Sequence, residues 1–406
     1  MAIKTADKLN DFQEYFFSRV NKLIAEVEAD SGEKVISLGI GSPDLPPPAE
    51  VVARLKQELD IPANHKYPNY GGAPELRQAM ASYYQRRFNV ALNSNSEVLP
   101  LLGSKEGLVN ACFAFMNPGD FALVPELGYP AYSGGPLLAS GHVLTYPLLA
   151  DKHWLPDLIK LGELLTEHKT AGKAPVRIWW LGYPNNPTGV VAELADLEEY
   201  VEFARKHELI IFYDNPYADV YWGGITPPAS ILEVPGARAL TIEFNSLSKT
   251  YNLAGWRVGM AIGGAELIAA LLKVKSNVDT GIFTAIQKAC AFALDEVSND
   301  WIKQRNQVYA QRADYLNKHL KALGFEFAEP VASLYIWAKI PQRLLEQFES
   351  TEDLSLSLVK EIKVLLTPGS TFGAAGEGYV RISLCQPQTT LEIALRKLEN
   401  YMLALA

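Results

Sequence analysis

Apolar residues recur through the middle of the chain in two alternating rhythms. Residues 176–181 and 209–213 are unbroken enough in apolar character to read as strands buried on both faces. Between them Leu194, Leu197, Val201 and Ala204 fall on one face of a helix. Residues 98–102, 121–125, 238–244 and 258–263 read as further strands, and 104–117 as a helix. Such alternation predicts an α/β fold, with a mostly parallel sheet covered by helices on both sides. At the N-terminal end Phe12, Phe16, Val20, Leu23 and Ile24 predict a helix stopped by Gly32, followed by a short strand over 35–38.

After about residue 285 the rhythm changes. Tyr309, Ala313, Leu316, Leu320 and Leu323 mark a long amphipathic helix closed by Gly324, and residues 334–340 alternate like a half-buried strand. We therefore expect a large domain over 46–285 and a small α+β domain that joins 1–45 to 286–406. No flexible linker separates them, so the two should share a cleft.

Composition narrows the function. A chain of 406 residues with 48% hydrophobic residues can bury a large core. Its net charge of −9 would repel a phosphodiester backbone, and no basic run argues for nucleic acid. Cys112, Cys290 and Cys385 are odd in number and lack metal or disulfide spacing, and the six histidines show no metal pattern, so no metal is expected. The start of the chain has no apolar signal core, and the longest apolar stretch, 258–272, contains Glu266 and is too short to span a bilayer. A cytoplasmic protein without membrane contact is the expectation.

The candidate chemistry centres on Lys249, which lies in the run 244–259 just past an apolar strand, where open α/β sheets present catalytic groups. A lysine amine attacks carbonyls, and pyridoxal phosphate (PLP) is the commonest biological aldehyde used in this way. Alone, Ser246-x-x-Lys249 reads more readily as a solvated loop; its partners change that. Asp214 closes the 209–213 strand, and the Asn-Pro-Thr-Gly turn with Asn186 follows the 176–181 strand. Gly103, Ser104 and Lys105 open a helix, whose free N–H groups suit an anion. Each of these alone has a bland reading as a turn or a cap.

Together they carry a resemblance. From Gly39 to Arg381 the chain resembles the fold-type I PLP-dependent aminotransferases of class I/II. That resemblance implies PLP bound by Lys249, with Asp214 on its pyridine nitrogen and Tyr217 and Asn186 on its phenolate oxygen. Gly103, Ser104, Lys105, Ser246, Ser248 and Arg257 would hold its phosphate, and Tyr129 would lie against its ring. Tyr67 would reach the phosphate in the neighbouring subunit of a homodimer, with shared active sites completed by residues 280–283. Arg381 would grip the substrate α-carboxylate, with the Gly41 loop closing over it. Lys249 would act as general base and acid in a ping-pong exchange between an amino acid and a 2-oxo acid.

The segments 273–287 and 38–45 most resemble the LL-diaminopimelate aminotransferase branch, with 2-oxoglutarate as acceptor. Enzymes acting on alanine, aspartate, methionine or aromatic amino acids are neighbouring alternatives, as is a carbon–sulfur β-lyase on the same fold. The ligand-sensing part of a regulator is a weaker reading, since no basic helix-turn-helix precedes it. Side-chain selection is expected near Tyr15 to Arg19 and in the 39–44 loop.

Overall fold

The computed structural model describes residues 3–12 and 16–405. Seven strands build its central sheet: β2 (Val98–Leu101), β3 (Phe121–Pro125), β4 (His142–Tyr146), β5 (Val176–Gly182), β6 (Ile210–Asp214), β7 (Thr241–Ser246) and β8 (Gly259–Gly263). Preceding them, β1 (Ile36–Ser37) lies in the N-terminal segment. The central order is β2-β8-β7-β6-β5-β3-β4, and β8 alone runs against its neighbours β2 and β7. That reversal follows from the connection: after β7 the chain makes the four-residue helix Leu247–Thr250 and returns without a crossover.

Side-chain alternation explains why both faces are covered. Ile178, Trp180, Phe212, Ile242, Phe244 and Ala261 bury one face of the sheet. Their immediate neighbours Trp179, Leu181, Ile211, Tyr213, Met260 and Ile262 bury the other. Trp179 and Trp180 are both fully buried, on opposite faces. Truncating either to alanine would cost about 3–5 kcal/mol.

The smaller unit contains β9 (Tyr335–Lys339), β10 (Val364–Leu365), β11 (Thr367–Pro368) and β12 (Tyr379–Ser383). Three of these form an antiparallel sheet ordered β11-β12-β9. β1 pairs in parallel with β10, Ile36 opposite Val364, which ties the N-terminal segment to the C-terminal region. A 24-residue helix, Asn299–Ala322, bridges the two units; its Tyr309, Leu316 and Leu320 join the smaller core. C-terminal to residue 285, the helix Thr284–Glu296 still packs Cys290 and Leu294 into the large core.

Two local expectations need correction. Among the described residues the N-terminal helix runs over Phe16–Ser31, and Phe12 is not part of it but lies in extended backbone, with φ −92° and ψ 119°. β9 is buried from Tyr335 to Ala338 rather than on alternate residues. Its Ile336 and Ala338 enter the smaller core while Trp337 packs into the large one, so neither face meets water. A strand sandwiched between two units loses the polar alternation of an exposed face.

Register brings the chemistry to one edge. Gly182 of β5 pairs with Asp214 of β6, which pairs with Phe244 of β7. The segments carrying Asn186, Asp214 and Lys249 thus leave adjacent parallel strands at the same end. No helix among the described residues is long and apolar enough to cross a membrane.

Candidate active site

A cleft of about 430 Å³ opens at that edge, between the large sheet and the smaller unit. Every site residue expected from the sequence lines it except Gly103, which lies directly behind it, and Tyr67. Lys249 Nζ donates a 2.7 Å hydrogen bond to the carbonyl of Gly41 and lies 5.9 Å from the Tyr217 ring centre. Thus the amine already bridges a strand-end helix and the loop after β1.

Asp214 sits beneath it, 7% exposed. One carboxylate oxygen, Oδ2, accepts a 2.8 Å hydrogen bond from the Tyr132 hydroxyl, while the other, Oδ1, is buried without a partner. Burial pushes the carboxyl up to about 7, against the Tyr132 hydrogen bond and the Lys249 charge, which hold it down. A buried acceptor left open costs about 1–3 kcal/mol, which an added N–H donor would recover.

The opposite wall is cationic. Helix Ser104–Phe115 presents its free first-turn N–H groups, and Arg257 packs across its entrance. Glycine at 103 is required there: it has φ 76°, and a Cβ would stand 2.1 Å from Arg257 Nη2. Arg257 donates to the Ala254 carbonyl at 3.0 Å, leaving other guanidinium donors for the cleft. Ser246 Oγ accepts the Ser248 N–H at 3.2 Å, and both serines line the cleft. Behind the helix start, Glu106 accepts the Leu102 N–H at 3.1 Å and the buried Lys275 amine at 3.2 Å, pinning the turn. These donors, with an open carboxylate oxygen across the cleft, fit a group bearing a phosphate and a protonated ring nitrogen. PLP has that chemistry.

Arg381 stands at the far side. Nη1 donates to Asn186 Oδ1 at 2.8 Å and Nη2 to the Gly39 carbonyl at 2.6 Å, while the buried Nε has no partner. Its guanidinium carbon lies 4.0 Å from the Tyr335 ring centre and 4.6 Å from that of Phe372. The Tyr335 hydroxyl is 3.1 Å from the Tyr217 hydroxyl. Gly41 passes so close that a Cβ would fall 1.7 Å from the Tyr335 oxygen, so no larger residue fits that loop. Tyr129 lines the cleft, with the Lys105 amine 5.8 Å from its ring centre.

Sequence reasoning missed three residues here. Tyr132 lies one helical turn beyond Tyr129, a spacing that could have found it; Tyr335 and Phe372 carried no signal. Of the segment expected to select side chains, Tyr15 lies outside the described residues and Arg19 pairs with Glu352 at 2.9 Å. Phe17 and Asn21 of the same helix do line the cleft. Tyr67 is 90% exposed and does not line the cleft of its own chain.

Similarity to known proteins identifies the family. An LL-diaminopimelate aminotransferase of Dehalococcoides mccartyi is 44% identical over 399 residues, covering 98% of this chain and 99% of the relative. One from Aquifex aeolicus is 41% identical over 398 residues, with the same coverage of 98% and 99%. The substrate-bound BacF structure from Bacillus subtilis superposes with a TM-score of 0.90 at 33% identity, covering 99% of this chain and 98% of the other. The profile of the family "Aminotransferase class I and II" matches residues 33–398, and the chain belongs to that family of PLP-dependent aminotransferases.

Proposed function

We propose that this aminotransferase exchanges the amino group of LL-diaminopimelate with 2-oxoglutarate, as a cytoplasmic homodimer, through the residues gathered in the cleft. The observation that carries the site assignment is the convergence of Lys249, the open oxygen of Asp214 and the guanidinium of Arg381 on one cavity. Bound PLP supplies an electron sink for the pair released when the substrate α-proton leaves. Asp214 keeps a proton on the ring nitrogen, and Tyr132 keeps Asp214 oriented. Ser104, Ser246, Ser248, Arg257 and the helix start hold the phosphate, with Gly103 giving Arg257 room and Lys105 adding charge. Tyr217 and Asn186 donate toward the phenolate oxygen, and Tyr129 covers the ring. Lys249 would anchor the cofactor, and its amine takes the substrate α-proton and returns it as general base and acid. Arg381 and the Gly41 loop orient the α-carboxylate, excluding water from the face where the proton moves.

Full-length identity with relatives named LL-diaminopimelate aminotransferases supports the donor. So do Asn21 and Ser42, which bring polar side chains to the cleft lining and suit a substrate with a charged distal end. For the dimer, the support is a patch of exposed Tyr67 and Phe283, with Gly281 packed against Asn69 and Pro68.

A panel of amino donors and 2-oxo acids on the purified protein tests the substrate. Glutamate should form fastest from LL-diaminopimelate with 2-oxoglutarate; preference for aromatic amino acids, methionine, alanine or aspartate would replace that donor. Pyruvate released from cystathionine without glutamate would point instead to the β-lyase. For the shared site, inactive Lys249→Ala and Tyr67→Ala chains should regain activity when mixed, whereas Lys249→Ala with Arg257→Ala should not. A fully active monomer in ultracentrifugation would refute the shared site.

A further inference from the structure

The long helix Asn299–Ala322 carries two buried arginines seven residues apart, Arg305 and Arg312. Seven residues make two helical turns, so both point to one face about 10.5 Å apart along the axis. Burying a guanidinium costs several kcal/mol unless each N–H finds an acceptor, and both arginines are held by specific acceptors.

Arg305 serves the catalytic strand ends. Nη1 donates to the carbonyls of Lys249 and, at 2.8 Å, Thr250. These are carbonyls at the end of a four-residue helix, where no further turn supplies donors. Nη2 donates to the Asp219 carbonyl, which also accepts Asn306 Nδ2 at 2.9 Å. Asp219 closes the turn that begins at Asp214 and Tyr217. Nε and Nη2 complete the set on Asn306 Oδ1, at 3.1 and 2.8 Å. One guanidinium therefore fixes the Lys249 segment against the Tyr217 turn.

Arg312 serves the substrate side. It forks onto Asp44, with Nη1 to Oδ1 at 2.8 Å and Nη2 to Oδ2 at 2.9 Å, and Nη1 also donates to the Leu384 carbonyl at 2.9 Å. Asp44 ends the loop that carries Gly39 and Gly41; Leu384 directly follows β12, which carries Arg381. The same guanidinium therefore ties the loop over the α-carboxylate to the strand that grips it.

We infer that Arg305 and Arg312 are positioning residues. The helix between them is a fixed-length spacer that sets the Lys249 amine at a defined distance from the carboxylate-binding loop. A rigid spacer matters because proton removal requires the substrate Cα, held through its carboxylate, to meet an amine held from another domain. The two arginines should have separable effects. Arg312 acts on the placement of the carboxylate, hence on binding; Arg305 acts on the placement of the amine, hence on the chemical step. This rests on the roles proposed above for Lys249 and Arg381.

The test uses holoenzyme carrying Arg312→Met, Arg312→Lys, Asp44→Asn, Arg305→Met or Arg305→Lys. Binding is read from the cofactor absorbance on titration with an α-methyl amino acid, which has the carboxylate but no α-proton. Arg312→Met and Asp44→Asn should both weaken that binding and raise KM for donor and acceptor by about tenfold, with kcat nearly unchanged. Arg305→Met should lower kcat by about tenfold to a hundredfold and move the pH midpoint of the cofactor absorbance, with α-methyl binding within about twofold of wild type. Lysine should rescue Arg305 better than Arg312, because an ammonium can still donate to several carbonyls but cannot reproduce the planar two-point contact with the Asp44 carboxylate. Asp44→Asn leaves the helix intact, so it reads the fork even if Arg312→Met folds poorly. Identical kinetic profiles for the two sites, or lowered melting temperatures with unchanged kinetics, would overturn the inference. Borohydride labelling of wild type on a lysine other than Lys249 would overturn the site assignment itself; labelling on Lys249 without the kinetic split would overturn only the spacer.

Discussion

The two walls of the cleft are built by different means. On the wall that we propose holds the cofactor, Asn186, Asp214 and Lys249 leave three adjacent parallel strands, β5, β6 and β7, whose hydrogen-bonded register fixes their relative heights. On the wall that we propose grips the carboxylate, Arg381 and Tyr335 lie on β12 and β9, paired neighbours of the small sheet, but it is the Arg381 side chain that forks across to the Gly39 loop and to Asn186. Arg381 spans 342 residues to the Gly39 carbonyl and 195 to Asn186. Sheet register is shared by many hydrogen bonds, so a single substitution cannot shift it. Side-chain forks are individually removable. Changes on the first wall should therefore disable chemistry without loosening geometry, and changes on the second should loosen binding.

The strongest break is Lys249→Ala. It should bind PLP through the phosphate donors yet lose turnover by on the order of 10⁴-fold. Reduction of wild type with borohydride followed by peptide mapping should find the label on Lys249.

Next comes Asp214→Asn. Unpairing a buried charge costs about 3–5 kcal/mol, which is on the order of 10²–10⁴-fold in kcat. Turnover within tenfold of wild type would remove Asp214 from its role. Asp214 also gives a pH signature in the cofactor-free protein. Burial raises its folded-state value from 3.8 to about 7, so its contribution to stability is fully present below the unfolded value. That contribution is lost as pH rises to about 7 and is level beyond it. The melting temperature of wild type relative to Asp214→Asn should fall between pH 4 and 7 and then level off. Glu243, also pushed to about 7 by burial, adds the same slope to both proteins and cancels in the difference.

On the second wall, Arg381→Ala should raise KM for donor and acceptor alike. A charge-assisted hydrogen bond is worth about 1.5–3 kcal/mol, so kcat/KM should fall about tenfold to a hundredfold. Arg381→Lys should not restore it, since an ammonium cannot make the planar two-point contact.

The smallest effect sharpens the first wall. Tyr132→Phe removes one hydrogen bond to Asp214 and should lower kcat about tenfold while leaving KM unchanged. Because that bond holds the carboxyl down, its loss should also extend the Asp214 stability slope to higher pH in the cofactor-free protein. A KM change without a kcat change would place Tyr132 on the wrong wall.

The difference between the walls also explains what could be read from the sequence. Lys249, Asp214 and Asn186 were legible because each follows an apolar run, and a strand end is a place a sequence can mark. The loop over the helix start was legible through its glycine. Arg381 was nameable only by resemblance, since a strand arginine is usually solvated and nothing local says that it will face a cleft. Tyr335 read as one residue of a half-buried strand, because burial on its second face depends on a domain contact that no local pattern encodes. Arg305 and Arg312 are buried in the structure although nothing local in the sequence marks them, for the same reason. The extended backbone of Phe12 shows the limit of periodicity: an apolar residue in phase with a helix can still lie outside it.

Arg381 has a further consequence for anyone handling the protein. Its guanidinium is met by a carbonyl oxygen, an amide oxygen and two aromatic faces, and no acidic side chain among the described residues forms an ion pair with it. The full positive charge is thus available to any small carboxylate in solution, reactive or not. Acetate, citrate and other carboxylate buffers should act as competitive inhibitors, and the apparent KM should rise with their concentration. A zwitterionic sulfonate buffer at low concentration would give apparent constants closer to the intrinsic ones.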